Sequence, residues 1–312
     1  NRRGEEPMTI TPKQEADRRG WIGASDVSAI VGENPYKDAF TLWCEKTGKV
    51  PAPEVGEAAE WGNILEPVIL SCASKALGQP VVKSTGTFRH PFLDCVKANP
   101  DGFVVKCERG SPLVEGKSTS IAEGWGEEGT DEVPSHVRIQ VTMQMRCTDS
   151  VFAHVARLYH RMGHPDFRLY SVAFSKPLAD ALDEKVGEFW DYHVQRDIPP
   201  DVTAMSLSAL GKIGRESKLV PVDPDIVAAF VEARRRAKEA EEAADDAKAR
   251  LIVALQDGDA AEVLGWRVKY TTVRQERLNA DELRTRYPQI AAECTKESGY
   301  RKLDVRAIKE KK

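Results

Sequence analysis

The chain has 312 residues, 41% of them hydrophobic and 30% charged, with a formal net charge of −4. Its length allows about two domains, and no apolar run approaches the roughly 18 residues of a membrane span. The charge balance shows none of the strong basicity that usually marks a nucleic-acid-binding domain, although local basic patches fit within it. The opening "NRRGEEPMTI" lacks the apolar core of a signal peptide, so a cytoplasmic protein is expected. Six cysteines without a CxxC pair argue against a zinc ribbon, an iron–sulfur site or a disulfide framework.

Residues 11–50 read as three helices, "TPKQEADRRG", "SDVSAIVG" and "DAFTLWCEKTG", each stopped by Gly. "AAEWGNILEPVILSCASKALG" has apolar residues at helical intervals, and Pro67 is tolerable only in its first turn or at a kink. "PVVKSTGTFRH" reads as a strand, followed by a hairpin with arms "GFVVK" and "SPLVE". Next come the helix "SHVRIQVTMQMRCTD", the strands "SVFAHVARLY" and "FRLYSVAF", and an amphipathic helix ended by "DIPPD". His160 and His164 have the spacing of a helical metal pair, but Gly163 and Pro165 break any helix there. This pattern predicts an α+β core over residues 1–204 with one mixed central sheet flanked by helices. Residues 205–222 read as an irregular linker. Residues 223–312 read as a C-terminal extension made of a long charge-laced helix, a small β-hairpin and one short helix.

The hairpin carries the chemistry. A turn near Glu108 sets Phe103 opposite Leu113 and Asp101 opposite Glu115, and directly opposed residues have Cβ atoms only about 5 Å apart, where like charges repel. Lys117 falls on the same strand face as Glu115. Two carboxylates beside one ammonium suit a hard divalent cation bound through oxygen, although the stretch alone reads equally well as an ordinary surface hairpin. Arg18 and Ser25 flank a Gly-containing turn that leads into a helix N-terminus, which favours a phosphate. Glu66 offers a third carboxylate from a helix, and Gln140 and Gln144 lie one helical turn apart on another.

In this order, "IGASDVSAIVGENPYK", "LWCEKTG", "WGNILEP", "NPDGF", "VEGK" and the Gln of "HVRIQVTMQM" resemble the phage lambda exonuclease family, and most of all its YqaJ-type viral recombinase branch. The resemblance spans roughly residues 15–204, with some likeness in the tail. It implies a restriction-endonuclease-like core of the PD-(D/E)xK nuclease superfamily and a 5′ to 3′ exonuclease acting on linear duplex DNA, encoded by a phage or prophage. Carried over by position, Asp101, Glu115 and the Gly116 backbone carbonyl would hold Mg²⁺, and Glu66 a second ion, with Mn²⁺ as a substitute. Lys117 would position the attacking water, Gln140 would lie beside the scissile region, and Arg18 and Ser25 would receive the 5′-phosphate. The resemblance also implies a homo-oligomer, in the form of a trimeric ring, and a single-strand annealing protein as partner. Where the lambda member has an aromatic wedge before the arginine, this chain has "PKQEAD". A same-fold endonuclease and a non-catalytic DNA-binding scaffold are the alternatives.

Overall fold

The computed structural model describes residues 19–51, 56–105, 110–161, 164–276, 278–295 and 303–305. Two compact units meet in sequence at Gly214 and Arg215.

In the first unit, β1 (Ile22–Gly23), a single 3-10 turn (Ala24–Asp26) and α1 (Val27–Ile30) precede α2 (Ala39–Lys46) and α3 (Glu57–Leu77). Strands β2 (Val81–Lys83), β3 (Phe88–Arg89), β4 (Val96–Ala98), β5 (Gly102–Val104) and β6 (Leu113–Thr119) follow, and then α4 (Ser135–Thr148), β7 (Phe152–Arg161), β8 (His164–Ala173) and α5 (Lys176–Glu188). A π-helical turn, Phe189–Val194, extends α5, and α6 (Leu207–Lys212) closes the unit.

The strands form two sheets where the sequence predicted one. A five-stranded sheet has the order β2-β5-β6-β7-β8, and a three-stranded sheet the order β1-β4-β3. Only the β6–β7 pair is parallel in the larger sheet. The segment "PVVKSTGTFRH", predicted as one strand, divides into β2 and β3 in different sheets. The two-residue β1 and three-residue β4 are too short to show an alternating pattern, so their parallel pairing left no trace in the sequence.

Helices α3 and α4 cover opposite faces of the larger sheet. Ile69, Leu70 and Ala73 of α3 pack with Val104, Val114 and Ala156. Val137, Val141 and Met145 of α4 pack with Phe103, Leu113, Val155 and Tyr170. A second stripe of α4, Ile139, Met143 and Cys147, enters the core built on Ile22, Val27, Leu42, Trp43 and Val96. Each fully buried side chain of this size contributes about 1.5–3 kcal/mol. With two stripes committed to packing, α4 is fixed in rotation about its axis, and its third face becomes a precise platform for polar groups.

Pro67 sits in the middle of the 21-residue α3, not in its first turn. It removes one hydrogen bond from the helix interior, while burial of the following residues Ile69, Leu70 and Ala73 against the sheet holds the helix together. Gly78, at φ +63°, ends it in the left-handed conformation that glycine adopts without strain.

The predicted linker is partly core. In α6, Ala209 is buried, and Leu210 and Ile213 pack against the same cluster. Thr203 and Ser206 donate to Asp38, the N-cap of α2.

The second unit contains α7 (Pro224–Ala254), the antiparallel hairpin of β9 (Ala260–Val263) and β10 (Trp266–Lys269), and two short helices, α8 (Ala280–Arg286) and α9 (Pro288–Glu293). Tyr287 and Pro288 split the single last helix that was expected. No helix among the described residues is long and apolar enough to cross a membrane.

Candidate active site

The hairpin register places Phe103 opposite Leu113 and Gly102 opposite Val114, so Asp101 falls opposite Glu115 one step further. Asp101 lies at the open end of β5, and its Oδ2 accepts the Gly116 N–H at 2.8 Å. Glu115 is only 3% exposed. Its Oε1 accepts from Lys117 Nζ at 2.7 Å and from Gln140 Nε2 at 2.6 Å, and its Oε2 accepts from Gln144 Nε2 at 2.8 Å. Gln140 Oε1 accepts a second proton from Lys117 Nζ at 2.8 Å. Gln140 and Gln144 come from the third face of α4, one helical turn apart.

These contacts set the charge states. Burial first, and then the neighbouring Glu115, push the Asp101 carboxyl up to about 8. Burial works against the charge of Lys117, but Glu115 beside it wins and raises its pKa above the usual lysine value. Glu66 of α3 forms an ion pair with Lys83 Nζ at 2.9 Å, and its charge also bears on Asp101.

A cleft of about 240 Å³ adjoins the cluster, and Ser25, Gln140 and Gln144 all line it. Arg19, Lys37, Lys46 and Lys97 also line it, against Asp26 and Glu45, so basic groups dominate its wall. Asp26 anchors two of these cations, Lys37 at 2.8 Å and Lys46 at 2.9 Å. Burial pushes the Asp26 carboxyl up, but the charges of those lysines outweigh it and hold the group well below the usual range. The Trp21 ring lies under Lys46 and Lys97, 5.7 and 5.2 Å from its centroid. Ser25 lies in the 3-10 turn before α1, and no side chain caps that four-residue helix. The cations of the cleft, not a helix N-terminus, would therefore attract an anion.

Residues 14–150 match the family described as the YqaJ-like viral recombinase domain. Over these residues, somewhat under half of its length, the chain is similar to that domain. A Bacillus subtilis (strain 168) protein described as "Uncharacterized protein YqaJ" is 24% identical over 305 residues, covering 94% of this chain and 93% of that protein. Among solved structures, the alkaline exonuclease LHK-Exo from Laribacter hongkongensis is 20% identical with a TM-score of 0.47, covering 60% of this chain and 94% of its own. A phage-related exonuclease from Haemophilus somnus 129PT is 14% identical with a TM-score of 0.43, covering 57% and 95%.

The fold thus brings Asp101, Glu115, Gly116, Lys117 and Gln140 into one hydrogen-bonded cluster and places Ser25 in the adjoining cleft. Glu66 lies nearby, tied to Lys83. Arg18 lies outside the described residues. Among the described residues no three His, Cys, Asp or Glu side chains converge as a ready metal cage. The donors nevertheless fit a hard cation. Burial, and after it the neighbouring Glu115, raise the Asp101 carboxyl to about 8, and a divalent ion between the two carboxylates would offset that cost. Glu115 retains acceptor capacity, because a carboxylate offers about four lone-pair sites and its bonds from Lys117, Gln140 and Gln144 occupy three.

Sequence reasoning missed Lys83 and the cleft residues Arg19, Trp21, Lys37, Lys46 and Lys97. The cleft residues come from β1 and its approach, the loop before α2, the end of α2 and β4. No local spacing joins them.

Proposed function

We propose that this chain is a metal-dependent nuclease that removes nucleotides 5′ to 3′ from linear duplex DNA, leaving 3′ single-stranded overhangs for phage-type recombination. The observation that carries the reading is the Asp101–Glu115–Lys117 cluster, held by Gln140 and Gln144 beside a basic cleft. The likeness of residues 14–150 to a viral recombinase domain supports a role in recombination.

In this reading Asp101, Glu115 and the Gly116 carbonyl hold Mg²⁺, and Glu66 takes part in a second site, with Mn²⁺ as a substitute. Such ions lower the pKa of water and stabilise the charge of an in-line phosphodiester displacement. Lys117, fixed between Glu115 and Gln140, puts a permanent positive charge where the attacking water and the phosphate oxygens meet. Water adds to phosphorus and the bond to the departing nucleotide's 3′ oxygen breaks, so the shortened strand carries a fresh 5′-phosphate. The basic cleft, with Ser25 on its wall, receives that phosphate and sets the strand for the next cut, and a role for Arg18 in holding the phosphate belongs to the same reading. A homo-oligomer such as a trimeric ring, a single-strand annealing partner and a place in the cytoplasm of a bacterial host belong to the same proposal.

The test is nucleotide release in Mg²⁺ from one plasmid supplied as a closed circle and as a linear 5′-phosphorylated duplex. Release from the linear form alone is expected. Cutting of the circle would assign an endonuclease, and intact DNA of both kinds, bound by a folded protein, would assign a scaffold.

A further inference from the structure

His136, Gln140 and Gln144 recur every four residues on α4 and so form one stripe. Gln144 meets Glu115 at the buried end, Gln140 meets Glu115 and Lys117 in the middle, and the half-buried His136 is the next rung toward solvent. Against the His136 ring stands Tyr36, edge to face, with centroids 6.1 Å apart and planes at 85°. Both rings lie within electrostatic reach of Lys117.

Tyr36 is 73% exposed, yet its backbone is fixed. Asn34 Oδ1 accepts the N–H of Tyr36 at 2.8 Å and of Lys37 at 3.1 Å, while Asn34 Nδ2 donates to Ser28 Oγ at 2.9 Å. Lys37 in turn reaches Asp26 and Glu45. A single exposed aromatic ring is ordinary on a protein surface. This one is held out to solvent on a pinned loop, braced at one edge, at the open end of the carboxylate–lysine stripe, with its other surface free. Folding gains little from such a ring, whereas an unpaired base gains a π-face to stack on.

We propose that Tyr36 is a stacking platform for the nucleobase of the strand being cut, with His136 bracing the ring, so that the pair seats the terminal nucleotide beside Lys117. This rests on reading the site as one for DNA ends.

The test uses a 5′-phosphorylated duplex with 2-aminopurine at its 5′ terminus, bound in EDTA so that no cut occurs, with wild type, Tyr36→Phe, Tyr36→Ala and His136→Ala. Wild type and Tyr36→Phe should quench the fluorescence. Tyr36→Ala should lose the quench and bind the end on the order of tenfold more weakly, with unchanged thermal stability. His136→Ala should show an intermediate quench. Equal quenching by wild type and Tyr36→Ala would overturn the proposal, as would no quenching by wild type. A Tyr36-dependent quench without nucleotide release in Mg²⁺ would uphold the platform and discard the nuclease reading.

Discussion

Gln144 Nε2 donates to Glu115 Oε2 at 2.8 Å across a fully buried contact between α4 and β6. Removing the amide strands a buried charged acceptor, which costs about 1–3 kcal/mol or more. Gln144→Ala should therefore lower the melting temperature and also weaken cleavage, because Glu115 loses one of its restraints. Thermal unfolding and nucleotide release on the same preparation check both effects. Wild-type behaviour in both would mean the amide restrains nothing.

Gly116 leaves room for the approach of α3. A Cβ there would lie 3.1 Å from Ile69 Cγ2 and 3.5 Å from Asp101 Oδ2. Ile69 is buried and cannot swing away, so Gly116→Ala should cost about 1–3 kcal/mol through overpacking. Combining it with Ile69→Ala should cost less than the sum of the two single changes, since both act on one contact. Strict additivity in urea unfolding would rule out that contact as the cause.

Asp38 ties α2 to the segment before α6. Burial pushes its carboxyl up, but bonds donated by Ser206, Thr203 and Thr41 outweigh that and bring it down to about 2, from 3.8. A depressed carboxyl stabilises the fold above its unfolded value and loses that contribution as pH falls through the window from 3.8 to about 2. The stability difference between wild type and Asp38→Asn should be about 2 kcal/mol at neutral pH and shrink across that window. A difference constant from pH 5 to pH 2 would show that Asp38 does not act through its charge.

The place where the chain can be cut follows from α6. Ending it after Gly214 keeps Ala209, Leu210 and Ile213 in the core and keeps the bonds to Asp38. Ending it after Val202 removes them all. The first truncation should fold and retain nuclease activity while losing any contact that the C-terminal unit makes with an annealing partner. The second should unfold at least several degrees lower. Equal melting curves for the two would contradict this assignment of α6 to the core.

The sequence showed the site better than the sheets around it. Asp101, Glu115 and Lys117 lie within seventeen residues on one hairpin, so strand alternation and register sufficed to bring them together. Gln140 and Gln144 were legible as a helical pair. By contrast, Lys46 and Lys97 meet around Trp21 only because β1 and β4 pair, and strands of two and three residues carry no readable period. The core role of α6 was hidden in the same way. The segment around it reads as an irregular linker until Asp38, far away in sequence, accepts from Thr203 and Ser206 just before α6 and fixes its start. Pro67 lies in the middle of α3, where burial of Ile69, Leu70 and Ala73 offsets its local cost.

The central claim is metal-dependent removal of nucleotides from the 5′ end. It is tested most directly with a linear, 5′-phosphorylated duplex labelled in parallel at its 5′ or its 3′ end, incubated in Mg²⁺ or EDTA with wild type or Lys117→Ala. The account predicts early release of the 5′ label, retention of the 3′ label on a shortening strand, and no release in EDTA or by the variant. Release in EDTA, undiminished release by Lys117→Ala, or early loss of the 3′ label would contradict it.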